Sequence, residues 1–263
     1  MVRSERDGGV ARFIIDRPSR RNAIDAATAC ALGDAIEAAT RDRALRVLVI
    51  KGAGTTFSTG RDLKASAAAD REKSPQKSTS QAPATEDEAW VRIFHLLHRS
   101  PLPSVAVVTG HAVAGGFTLA MGCDFVLAEK GARFGAFEMR HGFPAAVCTP
   151  ILARLIGPRL ALELALLGEE VSAERLHAVG LVNRLAEDLD DLARVEATFV
   201  GHLATLDPTA VRQTRDLMRA AANMPLDNAL DMGRNLNQLI AASGGFATAG
   251  QKLARNDSGQ QSG

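Results

Sequence analysis

Tyrosine is absent from this chain, tryptophan occurs once, and aromatic residues make up only 4 % of it. The missing tyrosine removes a phenol from the candidate acids and bases. Cysteine is scarce as well. Cys30, Cys123 and Cys148 are scattered and odd in number, with no zinc-ligand spacing and no disulfide framework. That pattern fits a reducing compartment, and a cytoplasmic protein is expected. Long apolar runs are lacking, so no segment reads as a bilayer span. The polar start, Met1–Val10, is not a secretory signal peptide. Charge of one sign is missing too. The net charge of +1 gives no electrostatic reason to expect a nucleic acid or an anionic membrane as partner. No Walker motif, dinucleotide-binding glycine fingerprint, HExxH or GxSxG occurs. Nucleotide hydrolysis, hydride transfer, zinc proteolysis and α/β-hydrolase chemistry therefore lack support, and no metal site is expected.

What is present suits a globular protein. With 263 residues, 46 % of them hydrophobic, the chain can bury one large domain, or one domain and a helical appendage. Val10–Asp16 reads as a strand. Asp25–Thr40 reads as a helix, with Asp25 as cap and Leu32, Ile36 and Ala39 on one face. Arg46–Lys51 and Ser104–Thr109 are continuous apolar runs, as in a sheet covered on both faces. Asp124–Ala128 reads as another strand. Strands alternating with helices predict an α/β fold. Ala65–Glu88 breaks the pattern. It is rich in Ala, Ser, Lys, Gln and Pro, reads as a mobile loop, and is placed to fold over a ligand. Trp90–Leu97 resumes a helical pattern. From Pro150 on, the chain reads as almost all helical. Ser172 and the Asp207-Pro208 pair mark helix starts. Val195–Leu206, Val211–Ala222 and Asn228–Ala242 are amphipathic.

Two glycine turns carry the functional signal. Phe57-Ser58-Thr59-Gly60-Arg61-Asp62-Leu63 follows the apolar run Val47–Ile50. Gly110-His111-Ala112-Val113-Ala114-Gly115-Gly116-Phe117-Thr118-Leu119-Ala120 follows Val105–Val108. Each places glycine where a strand turns into a helix. Glycine allows a tight turn and a close ligand. A helix start offers unpaired backbone N–H groups. Two such turns side by side aim two donors at one oxygen, the recipe for an oxyanion hole.

The turns and their spacing resemble the crotonase (enoyl-CoA hydratase/isomerase) superfamily. The resemblance begins at Ile15-Asp16-Arg17-Pro18 with Asn22-Ala23. It continues through both turns, Cys123-Asp124, Arg133-Phe134-Gly135, Ser172-Ala173-Glu174 and Gly180-Leu181-Val182-Asn183. It implies a spiral of ββα units over residues 1–195 and a helical C-terminal region over 196–254 that mediates trimer formation; the polar end, 255–263, reads as a disordered tail. A homotrimer or a dimer of trimers is implied. Coenzyme A enters as part of the substrate, and no further cofactor is implied.

The resemblance also assigns roles. The backbone N–H groups of Arg61 and Gly115 would hold the thioester oxygen. Ala114 replaces the first of three family glycines. The Arg61 side chain is either solvated or turned to a phosphate or acidic acyl group. Glu138 stands where the family carries an acid–base glutamate. Its other reading is an exposed carboxylate at a helix start or a partner for Arg140. Thr118 is the departure, because hydratases of the family have a second glutamate there. Threonine can hydrogen-bond a water but cannot deprotonate it. Arg21, Ala23, Thr59, Gly60, Asp62 and Leu63 lie where the family binds coenzyme A. Arg17, Arg20 and Arg21 either pair with its phosphates or form a solvated basic loop. Asp62 is also a helix cap, and Asp124 is structural. His111 and His141 flank the site in sequence and read as structural or solvated rather than as proton carriers.

These features predict an acyl-CoA enzyme that stabilises a thioester enolate. Double-bond isomerisation with a single glutamate is the leading expectation. Enoyl-CoA hydration, with Thr118 placing the water, is the alternative. Decarboxylation of a CoA-bound dicarboxylate and non-catalytic acyl-CoA binding follow.

Overall fold

The structure, a computed structural model, describes residues 1–63, 65, 86–248 and 251. Its strands in chain order are β1 (Val2–Asp7), β2 (Val10–Ile15), β3 (Val47–Gly52), β4 (Ser104–Val108), β5 (His111–Val113), β6 (Phe125–Glu129), β7 (Arg133–Gly135), β8 (Val171–Ser172) and β9 (Arg184–Ala186). The principal sheet has the order β1-β2-β3-β4-β6-β9. It is parallel except for β1, which forms a hairpin with β2 through Gly8 at φ +53°. A small second sheet, β5-β7-β8, branches off after β4. The architecture is mixed α/β.

The continuous apolar runs become strands buried on both faces. In β3 and β4, Leu48, Ile50, Ala106 and Val108 enter the large core. Their alternates Val47, Val49, Val105 and Val107 enter a smaller one on the opposite face. Period-two alternation places successive side chains on opposite faces, so both faces must be covered. Helices α1 (Ala26–Arg41) and α2 (Glu86–Arg99) contribute Leu32, Ile36, Ile93 and Leu97 to the large core. Asp25 caps α1 by accepting from the N–H of Thr28 at 2.8 Å. The short helix α3 (Gly115–Gly122) is buried from Gly116 to Met121. After it come α4 (Cys148–Leu155), α5 (Pro158–Leu167), α6 (Ala173–Ala178), where Ser172 is the cap, and α7 (Leu189–Thr205). Helix α7 covers the small core with Leu192 and Val200. It is tied down by buried Glu196, which accepts from Arg12 Nε at 3.1 Å and from Lys51 Nζ.

Several elements differ from the expectation. The polar start forms β1, an exposed edge whose Arg3, Glu5, Arg6 and Asp7 discourage pairing with another chain. The region after Pro150 is interrupted by β8 and β9, strands too short to show alternation. Most of the expected loop 65–88 and all of the expected tail 255–263 lie outside the described residues. Glu86–Glu88 are not loop but the acidic first turn of α2, where carboxylates suit the helix dipole. The chain divides into two compact units, Met1–Pro208 and the remainder from Thr209. Residue 195, the expected edge of the core, lies inside α7. The second unit contains most of α8 (Pro208–Ala221) and all of α9 (Leu226–Ala242), neither of which buries a residue. Among the described residues no helix is long and apolar enough to cross a membrane.

Candidate active site

The two glycine turns meet. Phe57 and Ser58 run beside β5, with the Ser58 N–H donating to the His111 carbonyl and the Val113 N–H to the Ser58 carbonyl, each at 3.1 Å. Gly60 takes φ +78°. A Cβ there would stand 2.3 Å from the Gly115 nitrogen, and one on Gly116 would stand 2.0 Å from the Ser58 carbonyl oxygen. Only glycine permits this approach. Buried Asn22 fixes the turn from behind, its Nδ2 donating to the carbonyls of Ala53 and Thr56. Ser58 Oγ donates to the Asn22 carbonyl at 2.8 Å and accepts from the Gly60 N–H at 3.1 Å. The result is that the backbone N–H groups of Arg61 and Gly115 are neighbours. Among the described residues neither has a protein acceptor. Both residues line one inner cavity of about 430 Å³.

Ala114, at the N-cap of α3, has φ +49° and ψ −127°. An L-residue rarely adopts this conformation, and it costs of order 1–3 kcal/mol. Its N–H donates to the Gly135 carbonyl at 2.8 Å, and its carbonyl accepts from the Thr118 N–H at 3.1 Å. The strain is held at the junction of β5 and α3, where Ala114 lines the inner cavity.

Glu138 lies on the 3-10 turn Phe137–His141 and also lines the inner cavity. Among the described residues its Oε2 is buried without a hydrogen-bond partner. Burial raises its pKa above the ordinary carboxylate value, opposed by a hydrogen bond from its own backbone and by the electrostatic influence of His141. Arg140 is not its partner. That guanidinium stacks 3.6 Å above the Phe137 ring and donates to the Gly168 carbonyl, anchoring the turn. Phe143 shares the inner cavity with Glu138, whereas Phe137 faces an outer cleft. Thr118 is buried and lines the inner cavity. Its hydroxyl donates to the Ala114 carbonyl at 3.3 Å and lies near the Cys148 thiol. Burial, with the Glu138 charge adding to it, pushes that thiol up to about 12, so it stays protonated and inert at neutral pH.

An outer cleft of about 560 Å³ adjoins the inner cavity. Arg21, Ala23, Thr59, Asp62 and Leu63 all line it. Gly60 does not, because it is the contact between the turns. The arginines separate into three cases. Arg17 is engaged with Asp25 at 2.9 Å, Asp62 at 3.2 Å and the Ala23 carbonyl at 2.5 Å. Arg20 is half-exposed, 3.8 Å from Asp62, and Arg21 is exposed. Asp62 is buried beneath these pairs, and it accepts from the Ala65 N–H at 3.2 Å as a cap would. The Arg61 guanidinium, on a residue that lines both cavities, is not solvated alone. It pairs with Glu86 at 3.3 Å and with Asp87.

Sequence reasoning passed over four participants. Trp90, Glu86 and Asp87 reach the inner cavity from α2, and Cys148 reaches Thr118 from α4. Nothing local in the sequence announces these long-range contacts. The signal for His141 was local: it stands three residues after Glu138. His141 lines both the inner cavity and the outer cleft. His111 lines the cleft alone, facing Glu170 at 4.0 Å. Asp124 is structural, accepting from the Ser104 N–H at 2.8 Å and hydroxyl at 2.6 Å. Among the described residues no group of three His, Cys, Asp or Glu side chains could hold a metal ion.

Known proteins share this arrangement of the chain. The family model described as enoyl-CoA hydratase/isomerase matches residues 5–246. A crotonyl-CoA hydratase of Syntrophomonas wolfei is 31 % identical over 94 % of this chain and 90 % of its own. A 1,2-epoxyphenylacetyl-CoA isomerase of Escherichia coli is 29 % identical over 93 % of this chain and 92 % of its own. A Thermobifida fusca YX protein crystallised in complex with CoA superposes with a TM-score of 0.78 at 28 % identity, covering 92 % of this chain and 93 % of that one.

Proposed function

The chain belongs to the enoyl-CoA hydratase/isomerase family, and we propose that it moves the carbon–carbon double bond of an enoyl-CoA thioester. The thioester carbonyl sits between the N–H groups of Arg61 and Gly115. The Glu138 carboxylate takes a proton from the α carbon of a 3-enoyl thioester, and the electron pair delocalises onto the carbonyl oxygen as a dienolate. The two donors bind that developing charge better than they bind the neutral carbonyl, which is how they lower the barrier. Glu138 then returns the proton at the γ carbon, leaving the 2-enoyl thioester. A carboxylate with a raised pKa is a stronger base for the first step and is reloaded by the second.

One observation carries this reading. Glu138 presents an oxygen that is buried and unpartnered among the described residues to a cavity where the family's second carboxylate position is Thr118, whose hydroxyl donates to the Ala114 carbonyl and cannot serve as a base. A single carboxylate suffices to shuttle a proton between two carbons. Hydration is the second reading, supported by the Syntrophomonas wolfei relative named a hydratase, with Glu138 acting alone on a water beside Thr118. Decarboxylation and acyl-CoA binding without turnover have less support, since neither needs Glu138.

Coenzyme A is placed in the outer cleft, where Arg20 and Arg21 have the exposure to meet its phosphates. On this reading the protein works in the cytoplasm as a homotrimer or a dimer of trimers, and light scattering of the purified protein tests the assembly. The test of the reaction is NMR of trans-3- and trans-2-enoyl-CoA with the enzyme in deuterated water. Double-bond movement supports isomerisation. A 3-hydroxyacyl-CoA product supports hydration.

A further inference from the structure

We infer that His141 is the proton relay of this site, carrying the Glu138 proton to and from the water of the outer cleft. The inference rests on the proton-transfer reading above. Glu138 and His141 are the second and last residues of a five-residue 3-10 turn. In a 3-10 helix, side chains at i and i+3 eclipse, so the two project to the same side. They share the inner cavity, and His141 alone of the pair also lines the cleft. Its ring is exposed and stacks on Phe143 with a 6.2 Å centroid separation and a 21° interplanar angle. That contact fixes the ring at the rim.

Apart from Arg20 and Arg21, which stay cationic and cannot accept a proton, the other ionisable groups described at this rim are engaged. Arg61 is held by Glu86 and Asp87, Asp62 by Arg17 and Arg20, and His111 faces Glu170 across the cleft. Thr118 cannot accept a proton. Among the described residues, His141 is the imidazole that bridges the two spaces. The step balances without another reagent. Protonated Glu138 gives its proton to the neutral ring through one water in the shared cavity, since the two side chains make no direct hydrogen bond, and the ring nitrogen facing the cleft releases a proton to water. The reverse sequence reloads Glu138. His141 acts through Glu138 and does not touch the reacting carbon.

The test is exchange of the α protons of butyryl-CoA in deuterated water, which requires enolate formation and proton escape but no net reaction. His141→Ala is expected to lower the exchange rate about tenfold, below the 10²–10⁴ loss that follows removal of a direct base. Added imidazole is expected to restore it. His141→Gln should be equally slow and should gain nothing from imidazole, because its side chain still fills the place. Because His141 is exposed, both variants should fold. Exchange by His141→Ala at the wild-type rate, or a loss that imidazole does not repair, would overturn the relay. If Glu138→Gln is meanwhile inactive in exchange, the proton-transfer reading stands without it. If Glu138→Gln exchanges as fast as wild type, or wild type does not exchange at all, both fail together.

Discussion

Glu138 is the residue whose environment departs furthest from what a carboxylate prefers. Burial holds its pKa above the ordinary value, so the folded state favours the protonated form. Stability from such a group is present below its unfolded pKa and is lost as pH rises through the folded one. At neutral pH the charged carboxylate therefore strains the fold. Glu138→Gln is expected to raise the melting temperature at pH 7, with the gain vanishing in acid. The same variant should lose about 10²–10⁴ in turnover. A site group that costs stability and supplies rate is the usual trade-off. In the wild type, activity should fall as pH drops through the raised pKa, because the base becomes protonated. Ala114 is the second strained position. Ala114→Gly removes a cost of about 1–3 kcal/mol and adds about 0.5–1 kcal/mol of glycine entropy, so chemical denaturation should show a net gain of about 1 kcal/mol. Thr118→Glu supplies the missing carboxylate and is expected to raise hydration relative to isomerisation. No gain in hydration by a folded variant would contradict the account of Thr118. Much of this scale was legible from order along the chain: Glu138, Thr118 and the N–H groups of Arg61 and Gly115. The pairing of the Arg61 guanidinium with α2, the nearness of Cys148 to Thr118 and the place of His141 in both cavities were not. Each depends on segments brought together only by folding.

At the scale of elements, the site is a contact between two turns on adjacent strands. Gly60 and Gly116 are glycine because each opposes backbone rather than a flexible side chain. Gly60→Ala should be severe, since its methyl would meet the Gly115 nitrogen at 2.3 Å. A loss of both foldedness and turnover is expected, read by circular dichroism and by activity. On the far face, α7 is secured by Glu196 between Arg12 and Lys51. Glu196→Ala leaves two cations without their buried partner and should destabilise the protein by about 3 kcal/mol in urea unfolding, with little change in turnover. The apolar runs at β3 and β4 made the central strands readable. Strand β1 escaped notice because a charged edge has no apolar alternation, and β8 and β9 because a strand of two or three residues has no period to detect.

At the scale of the molecule, the principal sheet and its two cores belong to the unit ending at Pro208. The second unit has helices that bury nothing, while Leu226, Leu230 and Leu239 stand exposed on α9. A peptide covering residues 209–263 is expected to show little helix by circular dichroism, because short helices without a packed face are marginal in water. A stable, cooperative unfolding transition in that peptide would contradict this. The amphipathic C-terminal helices were readable as helices. What covers their apolar faces was not, because the hydrophobic pattern marks a face without marking what lies against it.

The central claim is that Glu138 moves a proton on a thioester held by Arg61 and Gly115. The most direct measurement is NMR of trans-3-enoyl-CoA with wild type and Glu138→Gln in deuterated water. The account predicts double-bond migration by the wild type and a loss of at least about 100-fold in the variant. Migration at the wild-type rate by Glu138→Gln would contradict it.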